Sequence, residues 1–190
     1  SIQTVPISTI KGPVEGMQFT ENWYYVYQPS GTGIGNKVIG TEQEIKEMTA
    51  EAHKHGIRVI ADAVINHFTA DWNAIQGDWK NSSFFHTRQE GGCGNNGTAI
   101  NYSNRWQVTH CHLLSLWDLN TENQEVANRM KDYLTRAVAD GIDGFRYDAA
   151  KHIELPNEFD RYSPYYDTIL PNGAQYQYGE VLQDKNVRET

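Results

Sequence analysis

The 190-residue chain has no apolar run long enough to cross a bilayer and no charged-then-apolar segment at its start, so nothing in it reads as a membrane helix or an export signal. Basic residues are few. The 16 Lys and Arg stand against 24 Asp and Glu, and a net charge of −8 argues against a nucleic-acid backbone or an anionic membrane surface as partner. Two cysteines, Cys93 and Cys111, are too few to define a disulfide framework or a compartment. The glycines of Gly31-Thr32-Gly33-Ile34-Gly35 are not followed by the Lys-Ser/Thr of a phosphate loop and do not directly follow a strand-like run, which argues against a nucleotide-binding enzyme. Phenylalanine is also scarce, with 6 residues against 11 Tyr and 5 Trp, so much of the aromatic content carries a polar tip, as in sugar-binding clefts and protein interfaces. What remains, 38% apolar and 21% charged residues, suffices for a globular core.

The most informative stretch runs from Gly141 to His152. A β-branched and aromatic run there delivers Arg146, Asp148, Lys151 and His152 within seven residues, which is not how a core strand ends. Arg146 and Asp148, two apart, leave a strand on one face, and an arginine beside a carboxylate favours the ionised form that a nucleophile needs. Ile2 to Ser8 reads as an earlier strand, and Asn22 to Pro29 packs enough amphipathic rings to line a cleft or fill a core. Thr41-Glu42-Gln43-Glu44 is a capping box opening a helix with Ile45, Met48 and Ala52 on its apolar face; Gly56 stops it, with His53 and His55 suited to the helix dipole. Ile57 to Ile65 is a buried parallel-type strand closed by Asn66-His67. From Phe68 to Asn120 no period is sustained. Thr121-Glu122-Asn123-Gln124 reads as a second capping box, for a helix that ends at Gly141. After an irregular segment to about Asn172, Gln175 to Leu182 is a last strand carrying Glu180.

Alternating strands and helices with reactive groups at strand C-terminal ends predict an α/β fold, a partial (β/α)8 TIM barrel comprising about strands 2 to 5, with an irregular subdomain inserted after the third barrel strand. The expected units are 1–67 and 121–190 for the barrel and 68–120 for the insertion. A complete barrel needs about 250 residues, so the chain reads as an internal fragment, expected to lack activity alone. If the strands are neighbours, Asp148 and Glu180 converge as the two carboxylates of a retaining glycosidase, with Asp148 as nucleophile and Glu180, in an apolar and aromatic setting, as the proton donor.

These residues resemble the α-amylase family of α-retaining glycoside hydrolases. Its Asp-x-x-x-Asn-His region is similar to Asp62-Ala63-Val64-Ile65-Asn66-His67, and its Gly-x-Arg-x-Asp-x-x-Lys-His region to Gly144 through His152. Tyr178-Gly179-Glu180-Val181 resembles the acid–base region, and Leu116-Trp117-Asp118-Leu119-Asn120 the region closing the insertion. Asn22–Pro29 and Gly179–Asp184 look closest to bacterial saccharifying members. The resemblance implies endo-hydrolysis of α-1,4-glucosidic bonds in starch and maltooligosaccharides by a secreted monomer. Asp148 would form the glycosyl-enzyme, Glu180 would be acid/base, and Arg146 would orient Asp148. Tyr27 and Gln28, His67, and Lys151 with His152 would contact sugar, and Asp62 would support the site from its strand. A structural Ca2+ would be held by the Asn66 side chain, the Thr109 carbonyl, Asp118 and the His152 carbonyl, fixing the insertion to the barrel. Maltogenic, neopullulanase-type or transglycosylating relatives share this scaffold, and a non-catalytic glucan-binding relative would have lost Asp148 or Glu180. For Cys93 and His110-Cys111-His112, a disulfide is favoured over free thiols or zinc, because ligands at i and i+2 in a loop make a poor tetrahedral set.

Overall fold

The computed structural model describes residues 1–12 and 19–182. Gln183 and Asp184, part of the family likeness, lie outside the described residues. Four strands form one parallel sheet: β1 (Ile2–Pro6), β2 (Val59–Ala63), β3 (Gly144–Tyr147) and β4 (Tyr176–Gly179). Their spatial order is their chain order, with Ile2 opposite Val59, Ile60 opposite Gly144, and Gly144 opposite Tyr176. Helices α1 (Glu42–Lys54) and α2 (Gln124–Ala139) connect β1 to β2 and β2 to β3. Parallel strands laid down in sequence with helical crossovers form an arc of barrel wall, and they end on one rim.

Local chemistry explains the helices. Thr41 Oγ1 accepts from the Glu44 amide at 3.2 Å while Glu44 Oε2 accepts from the Thr41 amide at 2.8 Å, so the expected capping box forms. The second expected box does not. Thr121 is buried outside the helix, and the cap of α2 is Asn123, whose side chain accepts from the Glu125 amide at 2.9 Å. The reason is long-range, because Glu122 is drawn to His86 and His110. Val126, Met130, Tyr133, Leu134 and Ala137 of α2 are buried against Ala61, Ala63 and Phe145 of the sheet. Gly141 closes α2 at φ 98°, where a Cβ would also lie 2.4 Å from Thr49 Oγ1.

One strand was illegible in the sequence. Pro29–Asn36 pairs antiparallel with Ser8–Ile10 and Gly40–Thr41, so the glycine run is sheet rather than loop. Cβ atoms on Gly31 and Gly33 would meet Thr9 at 3.0 and 2.8 Å; this close approach is why glycine sits in a strand. Between β2 and α2 the chain is built from 3-10 turns, two-residue strands at His67–Phe68 and Trp117–Asp118, and the short helix Arg105–His110. The segment is nevertheless packed: Phe68, Trp79, Phe84, Phe85 and Leu119 join the main core. Cys93 and Cys111 form a disulfide across 18 residues, which contributes about 3 kcal/mol and removes the free-thiol and cysteine–zinc alternatives. The segment before β4, expected to be irregular, contains the helix Tyr165–Ile169, whose Tyr165 and Ile169 are buried.

Candidate active site

The C-terminal ends of β2, β3 and β4 meet at one guanidinium. Register sets Asp62 opposite Arg146 and Arg146 opposite Tyr178, so groups distant in the chain arrive side by side. Arg146 Nη1 donates to Asp62 Oδ1 at 2.7 Å and to Asp148 Oδ1 at 3.1 Å, while Nη2 lies 2.9 Å from Glu180 Oε2. Glu180 Oε2 also accepts from the Ala149 amide at 3.1 Å. Ala149 has a left-handed backbone, φ 50°, at the turn where the chain leaves β3. Asp148 and Glu180 thus sit on the two arms of one planar fork, which fixes their relative position.

The electrostatics differ from the sequence reading at Asp148. Burial pushes Asp148 up to about 7, and the nearby Asp62 adds to the rise; Arg146 only partly offsets these effects because it is shared among three carboxylates. Glu180 was expected in an apolar enclosure. Its partners are instead a guanidinium and a backbone N–H, and its side chain is 29% exposed. Asp62 is 1% exposed and is satisfied by side chains, accepting from Arg146 and from the Tyr27 hydroxyl at 2.8 Å.

A cleft of about 1000 Å³ is lined by Tyr27, Gln28, His67, Arg146, Asp148, Lys151, His152 and Glu180, so all eight expected catalytic and sugar-contacting residues share one cavity. Gln28 Oε1 accepts from Thr69 at 3.0 Å, and His67 Nε2 lies 3.2 Å from the Tyr27 carbonyl. Burial pushes His67 and His152 down to about 4, so both are neutral near pH 7. The Lys151 ammonium donates to the Leu182 carbonyl and lies 5.1 Å from the Tyr102 ring centroid. The cleft also takes Trp23, Tyr24, Tyr102, Leu113, Leu114 and Leu116. Of these, Tyr102, Leu113 and Leu114 went unnoticed in the sequence, and Leu116 was read there only as part of the region closing the insertion. The signal was an apolar run, Leu113-Leu114, between polar residues of the irregular segment; Leu114, 81% exposed at φ 51°, is its extreme.

The four expected metal ligands are all buried. Asn66 Nδ2 lies 3.5 Å from Asp118 Oδ1, and turning the amide over would present two oxygens to one spot. His152 Nδ1 lies 2.8 Å from the carbonyl of Val108, the residue before Thr109. Neither the Thr109 nor the His152 carbonyl accepts a backbone hydrogen bond from outside its own helix among the described residues. Burial pushes Asp118 up to about 7 against the pull of His86, the mark of a carboxylate short of positive charge. One amide oxygen, one carboxylate and two carbonyls suit a hard cation.

Residues 34–185 match the family model for the α-amylase catalytic domain. An α-amylase of Clostridium acetobutylicum is 30% identical over 199 residues, covering 97% of this chain and 25% of that protein. Among solved structures, an α-amylase of Malbranchea cinnamomea superposes with a TM-score of 0.73 at 23% identity over 95% of this chain and 36% of that one. Eisenia fetida α-amylase I, solved with maltohexaose, gives 0.73 at 22% identity, covering 95% and 39%. The chain therefore spans about a quarter of the first relative and little more than a third of these structures, and its four-stranded arc is part of a TIM barrel. By this match and by the motifs that build its cleft, the chain belongs to the α-amylase catalytic-domain family.

Proposed function

We propose that the full-length protein is a secreted, monomeric α-amylase that cleaves internal α-1,4-glucosidic bonds of starch and maltooligosaccharides with retention of configuration. The observation that carries this reading is the sharing of Arg146 by Asp148 and Glu180 inside the aromatic cleft. A retaining glycosidase needs two carboxyl groups about 5–5.5 Å apart, one attacking the anomeric carbon and one protonating the leaving oxygen. Asp148, the more buried of the two, attacks. Glu180, nearer solvent, gives its proton to the departing sugar and then takes one from water. Tyr27 stacks on the glucose in the cleaved subsite with Gln28 and His67 beside it, and Lys151 and His152 meet the leaving-side glucose. That Eisenia fetida α-amylase I binds maltohexaose supports a linear glucan as the occupant.

Residues 68–120 form the inserted lobe in this reading, and Ca2+ is held by Asn66, Thr109, Asp118 and His152. The ion supplies positive charge that ties the lobe to the barrel. The test is full-length protein incubated with an end-blocked maltoheptaoside, with and without a calcium chelator. Internal cleavage and a lower melting temperature under chelation are expected; an intact oligosaccharide contradicts the activity, and an unshifted melting curve contradicts the ion.

A further inference from the structure

A second polar cluster, outside the cleft lining, joins the irregular segment to the barrel. Its members are His86 and His110, Glu122 just before α2, Glu154 after β3, and Arg161. Glu122 bridges the rings, with Oε2 at 2.8 Å from His86 Nε2 and Oε1 at 2.9 Å from His110 Nε2. The other nitrogen of each ring is held by oxygen. His86 Nδ1 is 2.7 Å from Asp118 Oδ2, and His110 Nδ1 is 3.0 Å from the Trp106 carbonyl. The oxygens of Asp118 and Glu122 only accept, so both nitrogens of His86 donate, and Nε2 takes a metal by giving up its proton; the Nδ1–H bond to Asp118 fixes that ring's direction, as the Trp106 carbonyl fixes the ring of His110. The ligand atoms of His86, His110 and Glu122 lie within 4.8 Å of one another.

Glu154 gives independent support. It is fully buried, its Oε1 has no hydrogen-bond partner, and its Oε2 is 3.7 Å from His110 Nε2. A dry carboxyl oxygen left unpaired either takes a proton or is completed by a cation. Arg161 partly meets that need: its Nη2 is 2.6 Å from His110 Nε2, 2.5 Å from Glu122 Oε1 and 3.5 Å from Glu154 Oε2. A guanidinium only donates, so His110 Nε2 accepts, and its lone pair already faces positive charge. The Arg161 side chain is 40% exposed and has a path out to solvent.

We propose that His86, His110, Glu122 and Glu154 form a site for a divalent metal of the zinc type, which takes the position held by the Arg161 guanidinium. Two imidazole nitrogens and two carboxylate oxygens suit tetrahedral Zn2+, whereas Ca2+ and Mg2+ favour larger all-oxygen sets. The site fastens the irregular segment to the residues flanking α2 and β3, on different side chains from the calcium set. Among the described residues the two sets touch where His86 Nδ1 donates to Asp118 Oδ2 and where His110 Nδ1 lies 2.8 Å from Thr109 Oγ1.

The test is calorimetric titration of calcium-saturated, full-length protein with zinc chloride near neutral pH, with a melting curve at each end. One zinc per chain beyond calcium and a raised melting temperature are expected. His110→Gln and Glu122→Gln should each weaken zinc binding about tenfold or more. Arg161→Ala, which removes only the competing cation from a partly exposed position, should tighten it. Absence of one-to-one binding, equal zinc affinity in wild type, His110→Gln and Glu122→Gln, or loss of binding in Arg161→Ala would overturn the proposal.

Discussion

Replacing Asp148 with Asn in the full-length protein is expected to lower kcat on maltooligosaccharides by on the order of 10⁴-fold or more while changing glucan affinity little. Asparagine keeps the shape and an oxygen for Arg146 but cannot form the glycosyl ester, so the loss falls on the chemical step. Affinity survives because the aromatic lining of the cleft is untouched. Stability separates this outcome from misfolding. Burial raises Asp148 from 3.8 to about 7 in the folded chain, so the fold prefers the protonated acid and loses stability as pH rises through that window. Above it, the neutral asparagine side chain should leave the melting temperature unchanged or higher. A nucleophilic carboxylate kept charged at a cost to the fold trades stability for activity.

Arg146→Met should have the largest effect on stability, about 3–5 kcal/mol, read as a lowered urea midpoint near neutral pH. Three carboxylates depend on this side chain, and Asp62, 1% exposed, would keep only the Tyr27 hydroxyl as a side-chain donor among the described residues. Removing one partner of a buried ion pair is worse than removing both, because the remaining charge must stay unpaired or take a proton. Arg146→Lys should recover only part of the loss, since an ammonium cannot place two separate nitrogens on Asp148 and Glu180. An unchanged midpoint in Arg146→Met would show that the three acids are held in some other way.

How much of this was legible in the sequence depended on range. Arg146 and Asp148 could be placed on one face because strand geometry repeats every two residues, and Thr41 with Glu44 closed their box within a single turn. The pairing of Asp62 with Arg146 needs the register of strands 84 residues apart, which no local pattern carries. The same limit explains the cap of α2. Thr121 and Asn123 both precede the helix, and the choice fell to Asn123 because two histidines of the irregular segment before it claim Glu122. The strand Pro29–Asn36 hid because Gly31, Gly33 and Gly35 leave no alternation to read. The apolar setting expected for Glu180 misled for a related reason: neighbours in sequence along a strand point to opposite faces, and the contacts of Glu180 come from β3 and the turn after it.

The most direct measurement on the central claim is a proton NMR time course of the full-length protein acting on a defined maltooligosaccharide, reading the first reducing end before mutarotation. Attack by Asp148, with Glu180 serving as acid and then base, requires that sugar to appear first as the α-anomer. The β-anomer appearing first would mean that water, not Asp148, attacks the anomeric carbon, and would contradict the account.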